Sequence, residues 1–541
     1  MKIAFLGATE DVTGSNFLVT TDNGESFLID CGMFQGSDSE EAKNRLPFPY
    51  DISKLDFVIL SHAHIDHSGR IPKLVREGFD KPIYSTRATM DLVDIMLQDS
   101  AQIQYYDTQW ENKKRERAGE ELIEPLYDSD DVVRATQLFD PHFYDEMIEV
   151  TPNIKVRLQD AGHILGAAII ELWVTEGDVT TKVVFSGDIG MPDHPLIRNP
   201  VKIESADVVV MESTYGNTVH ENYKNSLDNL MKVINETTDD GGTVIIPSFA
   251  IGRTQELLYE MNKYYEYGGS RHAKPVPIYV DSPMATKATG VFMKHTDLLD
   301  DEAQSLIRRG DNIFAFPNLV YTRTVEESKA LNLNKAPKVI ISASGMATGG
   351  RVRHHLKHNI WNPKSAVVFV GYQAAGTLGR IILDGEVDKV KISGSWVDIK
   401  SSVWSMPGFS AHADAPTLID WLSGFKVEPK KVILVHGEPD EMLPLRDRIE
   451  QDLNIKVMTP ADGDEYELRG EVTHLNPSVS ADSPDLEEVE ILVEDVARMV
   501  GAWEDRHHDL TELSDNQLKA MKSTLNRLKK NMLDLNMITG K

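Results

Sequence analysis

The stretch Ser61-His62-Ala63-His64-Ile65-Asp66-His67 decides the fold, and it directly follows an apolar run, Leu55–Leu60, that predicts a buried strand. Four side chains able to bind a metal ion stand within six residues here, on a loop where they can converge. Three are imidazoles and one is a carboxylate, without a thiolate, which suits Zn²⁺ and also Mn²⁺ or Fe²⁺. The pattern therefore predicts a divalent metal site where this strand ends.

Three other segments would complete such a site. Gly162-His163 stands in a loop between strands, Ser186-Gly187-Asp188 ends a predicted strand, and Val435-His436-Gly437 ends another far downstream. Each segment alone is weak evidence, because single histidines and aspartates at strand ends are common. Together with residues 61–67 they supply enough ligands for two metal ions that share one bridging carboxylate.

The order of predicted strands and helices changes twice along the chain. The first 200 residues read as short strands joined by turns, with a helix predicted over Thr86–Gln104. From about residue 207 to 394, strands alternate with Gly/Ser/Pro loops and helices, which is typical of βαβ units and a mainly parallel sheet. The strands predicted there are Val208–Met211, Val244–Ile246, Ile278–Val280, Val339–Ile341 and Val367–Val370. Short strands then resume, and a helical tail is predicted over Leu486–Leu535.

The residues quoted above resemble the signature motifs of the metallo-β-lactamase superfamily, and within it those of the β-CASP branch of RNA- and DNA-processing nucleases. The likeness is to the group that contains the endonuclease subunit of the cleavage and polyadenylation specificity factor, and it covers roughly residues 1–465. The matched positions, in motif order, are Asp30; His62, His64, Asp66 and His67; His163; Asp188; Glu212 (motif A); His412 (motif B); and His436 (motif C). No motif position is substituted.

The resemblance implies an α/β architecture. A metallo-β-lactamase αββα sandwich would be interrupted by an inserted parallel-sheet α/β domain, the β-CASP insert, and followed by a C-terminal helical extension. On this basis the sandwich spans residues 1–205 and 396–470, the insert spans 206–395, and the linker with the helical extension spans 471–541.

The resemblance also implies which site residues bind metal and which support those ligands. The expected ligands are His62, His64 and His163 for one ion and Asp66, His67 and His436 for the other, with Asp188 as the bridge. Two Zn²⁺ per chain are implied, with Mn²⁺ or Fe²⁺ as alternatives, and Asp30 would support the ligands. A histidine suits the proton transfer to the departing 3′ oxygen, because its pKa lies near working pH. We expect His412 to give this proton and Glu212 to orient it.

An acid-free window inside the insert predicts a phosphate-binding wall. Residues 328–380 contain no Asp or Glu, although about eight would be expected from 85 in 541, and they include eight Lys or Arg. Two Gly-rich loops that lead from strands into helices lie in this window, and their backbone N–H groups can cradle phosphate. The candidate contacts are Ser344, Gly345, Gly349, Gly350 and Arg351 in the first loop and Gly376, Thr377 and Arg380 in the second.

Charge and composition place limits on the function. The net charge of −29 speaks against a general nucleic-acid binder, but residues 206–395 hold 21 basic and 21 acidic side chains, so the excess of acids lies outside the insert. A single Cys excludes a disulfide within this chain. The N-terminus MKIAFLGATE lacks a signal-peptide core, and no window has the apolar length of a membrane span, so we expect a cytoplasmic protein.

The sequence thus favours a zinc-dependent ribonuclease that cuts single-stranded RNA in RNA processing or decay. Three alternatives stay open: a small-molecule hydrolase of the same superfamily, a DNA-acting β-CASP nuclease, and a scaffold subunit without activity. The residues leave endonuclease and 5′ exonuclease modes undecided. The C-terminal region is a candidate for homodimer formation, and no membrane partner is expected.

Overall fold

The computed structural model describes residues 1–36, 38–267, 276–374, 376–468 and 473–475. The predicted helical tail, and the dimer contact suggested for it, lie outside the described residues. Among the described helices, none is both long and apolar enough to cross a membrane.

The elements follow the chain in this order. The strands are β1 (Lys2–Phe5), β2 (Phe17–Thr20), β3 (Ser26–Ile29), β4 (Phe57–Ile59), β5 (Ile83–Thr86), β6 (Phe139–His142), β7 (Met147–Thr151), β8 (Ile154–Asp160), β9 (Ala168–Glu176), β10 (Val179–Phe185), β11 (Val208–Glu212), β12 (Thr243–Pro247), β13 (Ile278–Val280), β14 (Leu319–Tyr321), β15 (Lys338–Ser342), β16 (Ala366–Phe369), β17 (Lys389–Ile392), β18 (Ser395–Asp398), β19 (Ser402–Ser405), β20 (Lys431–Val435), β21 (Lys456–Met458), β22 (Glu465–Glu467) and β23 (Thr473–Leu475). The helices are α1 (Asp38–Lys43), α2 (Ile65–Ser68), α3 (Ile71–Arg76), α4 (Arg87–Ala118), α5 (Ser129–Thr136), α6 (Tyr223–Asp239), α7 (Arg253–Tyr267), α8 (Pro283–Lys294), α9 (Asp301–Arg308), α10 (Val325–Leu333), α11 (Val352–Asn359), α12 (Leu378–Asp384), α13 (Ala415–Ser423) and α14 (Pro439–Asp452).

Two sheets pack face to face and enclose one core. The first has the strand order β23-β22-β1-β2-β3-β4-β5-β6, and the second has the order β21-β20-β11-β10-β9-β8-β7. Because successive side chains of a strand point to opposite faces, Val208 and Val210 of β11 pack in the core between the sheets, whereas Val209 and Met211 pack on the outer side. Helix α4 covers β5 and β6, and α14 covers β20 and β21. The result is an αββα sandwich.

A third sheet, parallel throughout, forms the centre of the insert, with the order β14-β13-β15-β12-β16-β19. Helix α6 packs against β12 and β16, and α11 packs against β12 and β15. Val244 and Ile246 belong to one apolar cluster and Ile245 to another. Burial on both faces explains the continuous apolar runs of these strands.

Two strands lie on the other side of the predicted boundaries. The sequence pattern groups Val208–Met211 with the insert, but β11 pairs in parallel with β10 and β20 of the sandwich. Conversely, β19 falls in the predicted second part of the sandwich, yet it pairs in parallel with β16 of the insert. A buried parallel strand has the same apolar pattern in either sheet, so the pattern cannot assign it. We propose boundaries of the insert near residues 213 and 406.

Helix α4 is longer than its apolar spacing predicts, since it continues from Gln104 to Ala118. Thr86 caps its start by accepting a hydrogen bond from the N–H of Thr89, and Gly119, with φ 72°, ends it. The added turns are mostly polar, so their helical state follows from propensity rather than from apolar periodicity.

Candidate metal centre

Asp30, which follows β3, holds the loop after β4 in shape. Its Oδ1 accepts a hydrogen bond from the N–H of Ser61 at 2.7 Å, and its Oδ2 accepts one from the Ser61 hydroxyl at 2.8 Å. The same Oδ2 lies 2.7 Å from Nδ1 of His67. Asp30 has a left-handed backbone, with φ 61°, a strained conformation of the kind that clusters at functional sites. A carboxylate behind Nδ1 leaves Nε2 of His67 to face the centre.

Three imidazole nitrogens and one carboxylate oxygen meet beside this loop and form the first ligand group. Nδ1 of His64 lies 3.1 Å from Nε2 of His62 and 3.1 Å from Nε2 of His163. Oδ2 of Asp188 lies 3.3 Å from Nε2 of His62 and 3.4 Å from Nε2 of His163. Tetrahedral ligands of Zn²⁺, each about 2.0–2.1 Å from the ion, lie about 3.3 Å from one another. The spacing of these four atoms therefore fits one such ion.

Asp66, His67 and His436 form the second ligand group. Nε2 of His67 lies 3.3 Å from Nε2 of His436, which in turn lies 3.5 Å from Oδ2 of Asp66. The other oxygen of Asp188, Oδ1, lies 3.3 Å from Nε2 of His67. The two oxygens of Asp188 thus face different groups, as in a carboxylate that bridges two ions.

The electrostatics of Asp188 and of the first group's histidines suit a cation. Oδ1 of Asp188 is buried and has no hydrogen-bond partner among the described residues, and an unpartnered buried carboxylate oxygen is costly unless a cation neutralises it. Burial raises the pKa of Asp188, but the surrounding histidines hold it well below its usual value overall, so the group is charged. Burial lowers the pKa of His64 to about 3 and also lowers the pKa values of His62 and His163. These imidazoles are therefore neutral and present lone pairs.

The loops that carry His163 and Asp188 approach each other at two glycines. The N–H of Gly190 donates to the C=O of Ala161 at 2.8 Å, and a Cβ on Gly190 would lie only 1.7 Å from the carbonyl oxygen of Gly162. Any other residue at position 190 would push the two loops apart. Gly190 therefore allows the close approach of the two loops that brings His163 next to Asp188.

His412 lies at the edge of the centre and pairs with Glu212. Nδ1 of His412 lies 3.0 Å from Oε2 of Glu212, and Nε2 lies 3.9 Å from Oδ2 of Asp188. Burial lowers the pKa of His412, but the charges of Glu212 and Asp188 raise it overall to about 9. His412 therefore carries a proton at neutral pH, and its Nε2–H faces the centre, as a proton donor requires.

Thr214 is a residue that sequence reasoning missed. Its hydroxyl donates to Oε2 of Glu212 at 2.6 Å and lies 3.0 Å from Nδ1 of His436. A hydroxyl that donates to Glu212 can accept from Nδ1–H, which leaves the lone pair on Nε2 of His436 for the second group. The feature of the sequence that could have identified Thr214 is its position two residues after Glu212 in Met211-Glu212-Ser213-Thr214.

The two Gly-rich loops of the insert are joined to each other. Nε2 of Gln373 donates to the C=O of Gly345 at 3.1 Å and to the C=O of Gly371 at 3.0 Å. The N–H of Gly379 donates to the C=O of Met346 at 3.0 Å. The loops therefore present one continuous backbone surface, and Gln373 is a second residue that the sequence pattern did not single out.

This joined surface lies next to the first ligand group. Gly345 packs against Phe249, and the ring centroid of Phe249 is 6.4 Å from that of His64. Within the loops, the Ser344 hydroxyl lies 3.2 Å from the N–H of Gly349, and Gly350 has φ 75°.

In the second loop, Gly376 has φ 82°, and Thr377 caps α12 by accepting from the N–H of Arg380 at 3.2 Å. Several polar groups of the predicted phosphate contacts are thus already engaged within their own loops.

Both predicted phosphate-binding arginines have carboxylate partners. Nη1 of Arg351 lies 2.6 Å from Oδ1 of Asp281, which is fully buried, and Nε of Arg380 lies 2.7 Å from Oδ1 of Asp384. Burial raises the pKa of Asp281, but hydrogen bonds led by His355 lower it overall. Arg351 is therefore an internal counterion, and its loss would leave the buried Asp281 without one of its partners. Arg380 is more exposed than Arg351, and its partner Asp384 is exposed as well.

Comparison with known families agrees with these features. The chain matches the models of the metallo-beta-lactamase superfamily over residues 10–153, the Beta-Casp domain over residues 254–382, and the Zn-dependent metallo-hydrolase RNA specificity domain over residues 396–460. The Beta-Casp match lies within the insert, and the last match covers the part of the chain that carries His412 and His436.

Individual proteins are similar over most of the chain. Ribonuclease TTHA0252 of Thermus thermophilus is 38% identical over 446 residues, which span 82% of this chain and 95% of that protein. Transcription termination factor FttA of Methanocaldococcus jannaschii is 33% identical over 457 residues, which span 83% of this chain and 69% of that protein. The factor of the same name from Pyrococcus horikoshii is 32% identical over 489 residues, or 87% of this chain and 71% of that protein.

Proposed function

Because the chain belongs to the metallo-β-lactamase superfamily and to its β-CASP nuclease branch, we propose that it is a metal-dependent ribonuclease that hydrolyses phosphodiester bonds of single-stranded RNA. One observation carries the proposal: the two oxygens of Asp188 face two separate ligand groups, and the His412–Glu212 pair stands at the edge of the same centre. A ligand set for two ions beside a protonated histidine suits the hydrolysis of a phosphodiester.

The two ligand groups fit two divalent ions, and Zn²⁺ suits their donor atoms, with Mn²⁺ or Fe²⁺ as alternatives. His62, His64 and His163 would hold one ion, Asp66, His67 and His436 the other, and Asp188 would belong to both. When bound, such ions lower the pKa of a water molecule and offset negative charge on phosphate oxygens.

The protein's own residues supply the proton and the orientation. Glu212 accepts from Nδ1 of His412 and so fixes the imidazole with Nε2–H toward the centre. From there His412 would donate its proton to the departing 3′ oxygen, which would otherwise leave as a costly alkoxide. Glu212 is itself held by the N–H of Ile189 and the hydroxyl of Thr214.

The substrate class rests on the insert and on the relatives. The matched RNA specificity model and the similarity to a ribonuclease support RNA, and the Gly-rich loops beside His64 offer backbone N–H groups for its phosphates. Action in the cytoplasm, in RNA processing or decay, is part of this proposal.

A cleavage assay on one labelled single-stranded RNA tests the function. We expect the wild type to cut the RNA, and we expect both EDTA and His64→Ala to abolish cutting. The same oligonucleotide as DNA, and a β-lactam or thioester substrate, separate the alternative activities. Cutting that survives EDTA and His64→Ala would refute the proposal, and mapping products from 5′-phosphate and 5′-hydroxyl RNA would decide between endonuclease and 5′ exonuclease modes.

A further inference from the structure

Phe249 is an apolar ring beside a strongly polar centre. Its ring centroid lies 6.4 Å from that of His64, with the ring planes at 48°. The side chain is half-buried, and His64 is its one ring contact among the described residues. Neither ligand binding nor proton transfer uses this ring, so its position needs another explanation.

The backbone of Phe249 is held firmly in place. Its C=O accepts hydrogen bonds from the Thr254 hydroxyl at 2.6 Å and from the Thr254 N–H at 3.2 Å. The preceding residue, Ser248, donates its N–H to the C=O of Ser342 at the end of β15. The ring therefore projects from the junction of β12 and α7, where a strand and a helix fix it, rather than from a mobile loop.

Two glycines give one side of the ring its support. A Cβ on Gly345 would lie 2.7 Å from Cδ2 of Phe249, and a Cβ on Gly371 would lie 3.4 Å from Cε2. Each glycine belongs to one of the two joined Gly-rich loops, so these loops pack bare backbone against the ring. Phe249 therefore contacts both joined loops on one side and has His64 of the first ligand group as its ring neighbour.

The other aromatic side chains at the centre are already engaged. The hydroxyl of Tyr372 donates to Oε1 of Glu438 at 2.6 Å. Its ring meets that of Tyr215 edge-on, with centroids 5.8 Å apart and planes at 89°. Phe249 has no hydroxyl to engage, and its single ring contact within the described parts of the chain is the tilted one with His64, so we take its ring as the one left for a ligand.

We propose that Phe249 is a stacking platform for one nucleobase next to the scissile phosphate. This inference rests on the proposed ribonuclease function and adds a binding site and its ligand class. In single-stranded RNA a base hangs from the sugar between successive phosphates, so a flat apolar surface between a phosphate cradle and the cleavage centre matches a base. Stacking tolerates every base, because each has a π-face, and we therefore expect little sequence preference at this position.

The test couples changes in the protein to changes in the RNA. Wild type, Phe249→Ala, Phe249→Leu and Phe249→Tyr are compared on an RNA with one mapped cleavage site. Copies of that RNA carry a single abasic ribonucleotide at one of the two positions on either side of the site. Trp396→Ala, which removes a 70% exposed aromatic side chain from β18, is the matched control for unspecific loss of an exposed ring. Single-turnover rates, binding by fluorescence anisotropy, zinc content and thermal unfolding are recorded for each protein.

We expect Phe249→Ala to lower cleavage and affinity on intact RNA by about 5- to 150-fold, the range for lost base–aromatic stacking. One abasic position should lower the wild-type values by the same factor, and on that RNA Phe249→Ala should cause no further loss. Phe249→Tyr should keep the wild-type values, whereas Phe249→Leu, which keeps apolar volume without a ring, should not. Zinc content should stay unchanged in every variant.

Two results would overturn the stacking site. One is an equal loss for Phe249→Ala on intact RNA and on every abasic RNA, and the other is full recovery with Phe249→Leu, since both indicate mere packing. Failure of the ribonuclease proposal looks different, because the wild type would then leave intact RNA uncut. In that case the RNA affinities of the Phe249 variants still test the stacking site. A wild type that neither cuts nor binds RNA would refute both proposals.

Discussion

The sandwich and the insert use buried charge in opposite ways. In the sandwich, the buried carboxylate of Asp188 keeps one oxygen without a hydrogen bond, so negative charge is left for cations. In the insert, the guanidinium of Arg351 forms an ion pair with Asp281, so its positive charge is neutralised inside the fold. Formal charges counted along a sequence therefore indicate a binding site only where the structure leaves a charged atom without a hydrogen bond, as at Oδ1 of Asp188.

The strongest way to break this comparison is to remove the charge of Asp188, the carboxylate shared by the two ligand groups. Asp188→Asn takes the shared ligand from both groups, and we expect activity to fall by about 10⁴-fold or more, because residues that act as a unit fail together. Metal analysis by mass spectrometry should show less bound zinc.

Asp160→Asn is the matched control for Asp188→Asn. Asp160 is buried at the end of β8 and accepts the N–H of Gly162 at 3.0 Å, but it belongs to neither ligand group. Its amide can keep that hydrogen bond, so zinc content and activity should stay near the wild-type values. An Asp188→Asn protein that keeps its zinc and its rate would contradict the bridging role.

The proton donor can be separated from the ligands. His412→Ala should lower kcat by about 10²- to 10⁴-fold, the usual contribution of general acid catalysis, while zinc content stays unchanged. Parallel losses of zinc and of activity would instead make His412 a ligand.

The pairing of His412 with Glu212 predicts a shift in the pH dependence of cleavage. His412 can donate only while protonated, so the rate should fall as pH rises through its pKa. Glu212 raises that pKa, and Glu212→Gln should therefore move the alkaline fall to lower pH. The pH profile of kcat measures this, and an unmoved profile would show that another group limits the rate.

Thr214 connects the proton donor's partner with the second ligand group. Thr214→Val removes the hydroxyl at nearly constant volume, and we expect a loss of about 10- to 100-fold in activity or zinc affinity, as for other residues that orient metal ligands. Thr214→Ser restores the hydroxyl and should recover most of the loss. Equal values for the valine and serine variants would assign Thr214 a packing role only.

The smallest effects are expected for the two arginines of the insert, Arg351 and Arg380. Arg351→Ala should lower the free energy of unfolding by about 1–3 kcal/mol, because it leaves a donor missing at the buried Asp281. Arg380→Ala removes a more exposed cation and should weaken RNA binding only a few-fold, with a salt dependence smaller by about one phosphate contact. Denaturant unfolding and RNA titrations at several salt concentrations measure both. A stable Arg351→Ala protein would break the contrast between sandwich and insert.

The sequence was most informative where chemistry is local. His62, His64, Asp66 and His67 stand together on one loop, and their residue types alone indicate a divalent metal. The remaining ligands could be matched through motifs because each stands within three residues of the end of a strand. What the pattern could not assign was β11, since its apolar run fits the centre of either parallel sheet.

Long-range pairing explains what sequence reasoning missed. Asp281 and Arg351 are 70 positions apart, so a count of acids within one window could not reveal their ion pair. The link from Thr214 to His436 spans 222 positions, and Phe249 reaches the centre only because two glycines from other loops make room for its ring. Such contacts depend on tertiary packing, which the sequence around each residue does not show.

The central claim, that two ions held by the sandwich drive RNA cleavage, is tested most directly by titrating zinc back into metal-free protein. Cleavage rate and bound zinc per chain are measured on the same samples. We predict that activity is absent without zinc and reaches its maximum at two ions per chain, and that His64→Ala binds fewer ions and stays inactive. A metal-free protein that cuts single-stranded RNA at the full rate would contradict the account.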